Sequence, residues 1–144
     1  TLHIVGEGPE KENLVQLARE KGVENQVVFR GKIGFENRQQ LLRLYAEADA
    51  FSLLTDYESQ GIVFAEAAAA RIPQLIPAKG VMNEYIHAGF ARGINNPDDP
   101  TQVATELIHI LTTKNNLPTS LKPLVWDWDE VGEAVYSLYQ KGGV

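Results

Sequence analysis

The sequence predicts an α/β domain of three layers, a parallel sheet with helices on both faces. Three observations predict it. Short apolar runs of strand length recur, among them Leu2 to Val5, Ala50 to Leu54 and Ile72 to Ile76. Between them lie longer stretches whose apolar residues follow helical spacing. The two kinds alternate along the chain, and alternation of strand and helix builds right-handed βαβ units. The 144 residues are enough for one such domain with its own core.

Composition narrows the function classes. Apolar residues make up 44% and charged residues 22%, an ordinary globular balance. Net charge is −6 with no basic block, so neither nucleic acid nor an anionic membrane surface is an expected partner. There is no cysteine, hence no disulfide framework and no thiolate metal site, which fits a cytoplasmic protein. No apolar run reaches the length of a membrane span, and no signal peptide is recognisable. The chain starts at Thr1 inside an apolar strand. That start predicts a fragment of a two-domain protein, read here as a single domain over 1–144.

In order, the strand Leu2 to Val5 is followed by G-E-G-P-E. There Pro9 suits the first turn of a helix, and Glu10 and Glu12 suit its positive end. Leu14, Leu17 and Ala18 form its apolar face, and Gly22 ends it. A dinucleotide fingerprint fails, because Lys11 stands where its third glycine belongs. Gln26 to Phe29 is the next strand. After it, Gly31 and Gly34 let backbone approach a flat ligand, while Arg30 and Lys32 either face a diphosphate or are solvated. A helix over Asn37 to Ala48 turns Leu41, Leu42, Leu44 and Tyr45 inward.

The organising stretch is D-A-F-S-L-L-T-D-Y-E-S-Q-G-I-V-F-A-E-A-A-A-A, Asp49 to Ala70. It reads as strand, polar loop and alanine-rich helix from Gly61 on. In open α/β sheets the loop at a strand's carboxyl end is where ligands sit. Glu58 lies just before that helix and Glu66 inside it, among apolar neighbours. A buried unpaired carboxylate is costly. Glu66 therefore belongs on an exposed stripe or against a hydroxyl-bearing partner. The helix start between the two acids offers backbone N–H groups at Gly61, Ile62 and Val63 for a phosphate or diphosphate.

The remaining elements are a strand Ile72 to Ile76 with Pro73 at its beginning, the loop A-K-G-V-M-N-E-Y-I, and a strand Ala91 to Asn95. Asp98 or Asp99 then caps a helix with Pro100 in its first turn and Val103, Leu107, Ile110 and Leu111 inward. A last helix at about 127–141 begins at Asp127 or Asp129, with Val131, Val135, Leu138 and Tyr139 inward. In W-D-W-D the acids read as a cap and the two tryptophans, Trp126 and Trp128, as anchors. His3, His87 and His109 are scattered and read as structural, and no metal site is expected.

The segment E-S-Q-G-I-V-F-A-E resembles the E-x7-E signature of retaining glycosyltransferases of the GT-B fold, family 4. The A-D-A-F before it and the E-A-A-A-A-x-x-P after it agree, as do I-V-G-E-G-P near the start and V-V-F-R-G at the second strand. The resemblance covers roughly Leu2 to Leu111. It implies the C-terminal, Rossmann-like, donor-binding half of a GT-B fold. It implies that Glu58 contacts the donor sugar and is the catalytic carboxylate, and that Glu66 contacts the nucleotide's ribose. It also implies that Gly6 lines the donor cleft and that Gly31, with Lys32 beside it, packs along the base. Gly80 and Glu84 match a family loop of the type G-G-x-P-E, where Lys79 replaces the first glycine and Asn83 the proline. Arg71 stands where the family has a small glycine, a departure taken to reflect a different helix end.

The implied reaction moves a sugar from a nucleoside diphosphate sugar to a saccharide, lipid or protein acceptor with retention of configuration. No cofactor is implied, because the nucleotide sugar is a substrate. The Arg/Lys pair and the N-terminal acceptor domain that such enzymes use lie outside these residues, so the fragment alone is expected not to catalyse transfer. Any peripheral membrane contact would likewise be made by the missing part. The departures at Gln60 and at Lys79 to Glu84 keep a second expectation open: a catalytically inactive glycosyltransferase-like domain that serves as a binding or scaffolding partner.

Overall fold

In the computed structural model, residues 1–113, 117–121, 124 and 128–141 are described, with 139 and 141 described by backbone only. The chain divides into two compact units, Thr1–Glu47 and Ala48–Val144, each taken here by itself.

The first unit holds β1 (Leu2–Val5), α1 (Lys11–Glu20), β2 (Val27–Gly31) and α2 (Arg38–Glu47), with short 3₁₀ turns at Glu24–Gln26 and Phe35–Asn37. The strands pair in parallel from Leu2↔Val27 to Ile4↔Phe29, and a register shift then sets Val5 opposite Gly31. Gly22 ends α1 in the left-handed region at φ 66°, as expected. There the Val23 N–H donates back to Ala18 O and the Gly22 N–H to Arg19 O, both at 2.9 Å. The apolar faces are less covered than the spacing predicts. Ala18 and Tyr45 are buried, but Leu14, Leu17 and Leu42 are exposed.

The second unit holds β3 (Phe51–Ser52), α3 (Ile62–Ala69), β4 (Gln74–Pro77), α4 (Met82–His87), β5 (Ala91–Ile94), α5 (Pro100–Thr112) and α6 (Trp128–Lys141). Its sheet runs β3-β4-β5, all parallel. The middle strand β4 is buried at every residue. Ile76 points to a cluster with Phe64, Ala68, Met82, Tyr85 and Phe90. Leu75 points the other way, to Ile94 and Ile110. Helices α3 and α4 thus cover one face and α5 the other, which is the three-layer arrangement that the sequence predicts. The Arg92 guanidinium pairs with Glu106 and ties β5 to α5. Pro77, with no N–H to donate, stands past the last β3–β4 pair, Ser52↔Leu75.

Several bounds differ from expectation for local reasons. The strand expected over Ala50 to Leu54 is only Phe51–Ser52, because Thr55 opens a side-chain turn in which its Oγ1 donates to Tyr57 O at 2.8 Å. The strand expected from Ile72 starts at Gln74, because the Ile72 N–H is taken by Ala67 O at 3.0 Å. Asp99, of the two aspartates, caps α5 by accepting from the Thr101 and Gln102 N–H groups. Leu111 is exposed. In α6, Val135 and Leu138 are exposed, and Trp128, expected as an anchor, is 88% exposed. Asp129 lies inside the first turn of α6. Trp126 and Asp127 lie outside the described residues, as does the side chain of Tyr139.

The departure at Arg71 does not reflect a different helix end. Arg71 is left-handed at φ 59°. Its N–H donates to Ala68 O, and the Ile72 N–H to Ala67 O, each at 3.0 Å. This is the same ending that glycine gives α1. Arginine bears the left-handed strain and uses its side chain elsewhere, donating to Pro118 O at 2.9 Å and Leu117 O at 3.0 Å. Both Arg71→Gly and Arg71→Ala lose those two bonds, but only glycine loses the strain. Arg71→Gly is therefore expected to be more stable than Arg71→Ala by about 1 kcal/mol in urea melts; equal stability would contradict the left-handed assignment.

Candidate functional site

The β3–α3 connection is built from backbone hydrogen bonds. The Thr55 hydroxyl accepts from the Tyr57 N–H at 3.3 Å while donating to Tyr57 O, and this turns the chain out of the sheet. Three residues on, the carboxylate Oε1 of Glu58 accepts from the N–H groups of Ser59 at 3.0 Å, Gln60 at 3.3 Å and Gly61 at 3.1 Å. These bonds stabilise the charged form and hold the carboxyl below its usual value of 4.5, with Gly61 contributing most and burial opposing them. Gly61 is buried and left-handed at φ 68°, and its carbonyl accepts the first α3 bonds from Phe64 and Ala65.

This corrects one sequence expectation. The Gly61 N–H is not open for a ligand, because Glu58 occupies it. The first-turn amides of Ile62 and Val63 have no intrahelical acceptor, as at any helix start. The Ile62 side chain is 62% exposed, whereas Val63 packs against the core. Glu66 is half-exposed and follows Ile62 by four residues, ahead of exposed Ala69 and Ala70. Phe64, Ala67 and Ala68 form the buried side.

The β4–α4 connection meets the same loop. Lys79 Nζ lies 2.9 Å from Asp56 Oδ1, so the lysine that replaces a family glycine reaches an aspartate for which the sequence suggests no role. Gly80 is left-handed at φ 54° with open space around it, where any side chain would be strained. Glu84 is exposed on α4. Beside it Tyr85 is buried, and its hydroxyl donates to Gly61 O at 3.3 Å. Burial raises the Tyr85 pKa first, followed by the charges of Glu84 and Glu58, so both acids border this hydroxyl.

The remaining expected site residues lie in the first unit. The Gly6 N–H donates to Gly31 O at 2.8 Å. Gly6 at φ 128° and Gly31 at φ 67° both need glycine's freedom. Lys32 is exposed. Arg30 turns back on His3, its Nε 3.3 Å from His3 Nδ1. Among the described residues no three His, Cys, Asp or Glu side chains gather as metal ligands, and no helix is long and apolar enough to cross a membrane.

The sequence profile described as glycosyl transferases group 1 matches residues 1–123. The chain belongs to the glycosyl transferases group 1 family. It is 33% identical over 110 residues to N-acetyl-alpha-D-glucosaminyl L-malate synthase of Bacillus anthracis, across 76% of this chain and 28% of that protein. It is 29% identical over 145 residues to glycogen synthase of Mycobacterium tuberculosis, across 96% of this chain and 34% of that protein. Its length is thus roughly a third of these family members. The apo form of the lipopolysaccharide outer core galactosyltransferase WaaB superposes with a TM-score of 0.66 at 19% identity, over 96% of this chain and 41% of that one. That likeness shows the fold, one half of a GT-B architecture.

Sequence reasoning gives Asp56 no role, marks Lys79 only as a departure from the family loop, and passes over Tyr85, whose sequence signal is an aromatic residue directly after the matched Glu84.

The Glu58 carboxyl sets an acid limit. Its pKa is lowered in the fold, so its stabilisation is present above the usual value of 4.5 and is lost as pH falls through the lower folded value. Glu58→Gln is expected to flatten that acid limb in thermal melts between about pH 5 and pH 3; an unchanged limb would show that the carboxylate is not held by these amides. The exposed Lys79–Asp56 pair is expected to show a small favourable coupling in a double-mutant cycle. Its coupling should fade at about 1 M salt.

Proposed function

We propose that this chain is the donor-binding half of a retaining hexosyltransferase of family 4, which moves a sugar from a nucleoside diphosphate sugar to an acceptor. The observation that carries the reading is the Glu58–Gly61 turn. It sets a charged carboxylate and a helix start together at the carboxyl end of a parallel strand, with Glu66 farther along that helix and half-buried. Glu58 positions the sugar hydroxyls. Glu66 accepts two hydroxyl bonds from the ribose cis-diol, and bonds to a charged acceptor are the strong ones. The Ile62 and Val63 amides take the charge that grows on the leaving diphosphate, stabilisation that strengthens toward the transition state. Gly80 and Glu84 border the donor from the next loop.

The chemistry is a front-face displacement. The bond from the anomeric carbon to the phosphate oxygen breaks, the acceptor oxygen attacks from the same side, and the departing phosphate takes the acceptor's proton. No metal is required, because the leaving charge is met by backbone dipoles and cations. The protein is placed in the cytoplasm, where nucleotide sugars are substrates. The acceptor, whether saccharide, lipid or protein, meets a preceding N-terminal domain.

Uridine, guanosine and adenosine diphosphate sugars at millimolar concentration separate this reading from a scaffolding role in a thermal-shift panel on the protein that carries this chain. One of them is expected to stabilise it, by about 2.7 kcal/mol at a hundred times its Kd. Glu66→Ala should abolish the response, whereas Glu58→Gln should keep the response to the free nucleoside diphosphate and weaken that to the sugar. No response to any donor would favour the scaffold.

A further inference from the structure

We propose that Tyr85 is a positioning residue for Glu58, acting through Gly61, and that together with Lys79 it straps the Glu58 loop at both ends to the following β4–α4 unit. The proposal rests on the reading of Glu58 as the donor-sugar ligand. Asp56 and Gly61 bracket Glu58 in the chain. Lys79 holds the first at 2.9 Å and the Tyr85 hydroxyl holds the second at 3.3 Å.

The two straps differ in kind. The Lys79–Asp56 pair is exposed and yields to salt. Tyr85 is 4% exposed and its ring is fixed by packing. It meets Phe64 edge-on at 5.8 Å between centroids, and Phe64 meets Phe51 in the same way at 6.1 Å. These rings span α4, α3 and β3, so the hydroxyl is aimed by three elements at once. Its target has little room to move. A Cβ on Gly61 would stand 3.0 Å from Phe64 Cδ2 and 3.5 Å from Tyr85 Cε2. The Gly61 carbonyl accepts from the Tyr85 hydroxyl while the Gly61 N–H donates to the Glu58 carboxylate, so one residue passes the ring's position on to the acid.

The ionisable groups around this point are Glu58 and Glu84 beside the hydroxyl, with Asp56 and Lys79 at the far end of the loop. Both neighbouring acids and burial favour a protonated tyrosine, which keeps it a donor. In consequence, a ligand that shifts the segment 79–85 also shifts the Glu58 carboxylate.

Tyr85→Phe keeps the packed ring and deletes only the hydroxyl. Amide exchange measured by NMR on the chain should accelerate about three- to ten-fold at Ser59, Gln60 and Gly61, the loss of one hydrogen bond, while Leu75 and Ile76 in β4 keep their rates. Unchanged exchange at 59–61 would overturn the proposal, as would an equal rise throughout the core, which would make Tyr85 a packing residue only. On the protein that carries this chain, kcat for the nucleotide sugar should fall by a similar factor with its KM nearly constant. Accelerated exchange with unchanged turnover would uphold the strap and count against Glu58 as the sugar ligand. The two readings therefore fail separately.

Discussion

The left-handed conformation of Gly61 is the constraint on which the second unit's site depends. At φ 68° the residue turns its N–H back to Glu58 while its carbonyl starts α3. A side chain there is excluded twice, by the backbone angle and by the rings of Phe64 and Tyr85. The carboxylate, the helix start and the aromatic cluster therefore share one pivot. Glu58 is held charged by three amides. That suits the role proposed for it, accepting sugar hydroxyls.

The far end of α3 is fixed by the same kind of angle with a different residue. Arg71 ends the helix left-handed and holds the backbone of Leu117 and Pro118 with its guanidinium. Beyond it, β4 is buried on both faces, and its side chains divide between the α3–α4 cluster and the α5 cluster. Helix α3 is thus clamped at its start by Gly61 and at its end by Arg71, on a strand with no solvent face. Glu66 is carried on this clamped helix, whereas Glu58 lies in the loop before it, held by the amides of Ser59, Gln60 and Gly61.

Much of this was legible in the sequence, and the reasons are local. The alternation of apolar runs and helical spacing predicts parallel strands under helices, and β4, α3 and α5 bear it out. Gly22 and Asp99 act as written, since a left-handed glycine and an N-cap aspartate are set by chemistry within a few residues. What escaped depends on contacts distant in sequence. Lys79 reaches Asp56 across 23 residues, and Tyr85 reaches Gly61 across 24. Periodicity marks Leu14, Leu17, Leu42, Val135 and Leu138 as inward, but it says nothing about whether a covering layer is wide enough to bury them. Arg71 in a glycine's place looks like a changed helix end, because a sequence does not display the strain that a side chain's hydrogen bonds can offset.

On the proposed reading, a nucleoside diphosphate binds where Glu58, the start of α3 and Glu66 lie. Chemical-shift mapping of backbone amides during titration with uridine, guanosine and adenosine diphosphates tests it most directly. One nucleotide is expected to move the Ser59 to Val63 amides and the Glu66 amide, with smaller shifts at Gly80 and Glu84. Shifts confined to the opposite end of the sheet, around Pro73, Gln74 and Ala91, would contradict the account.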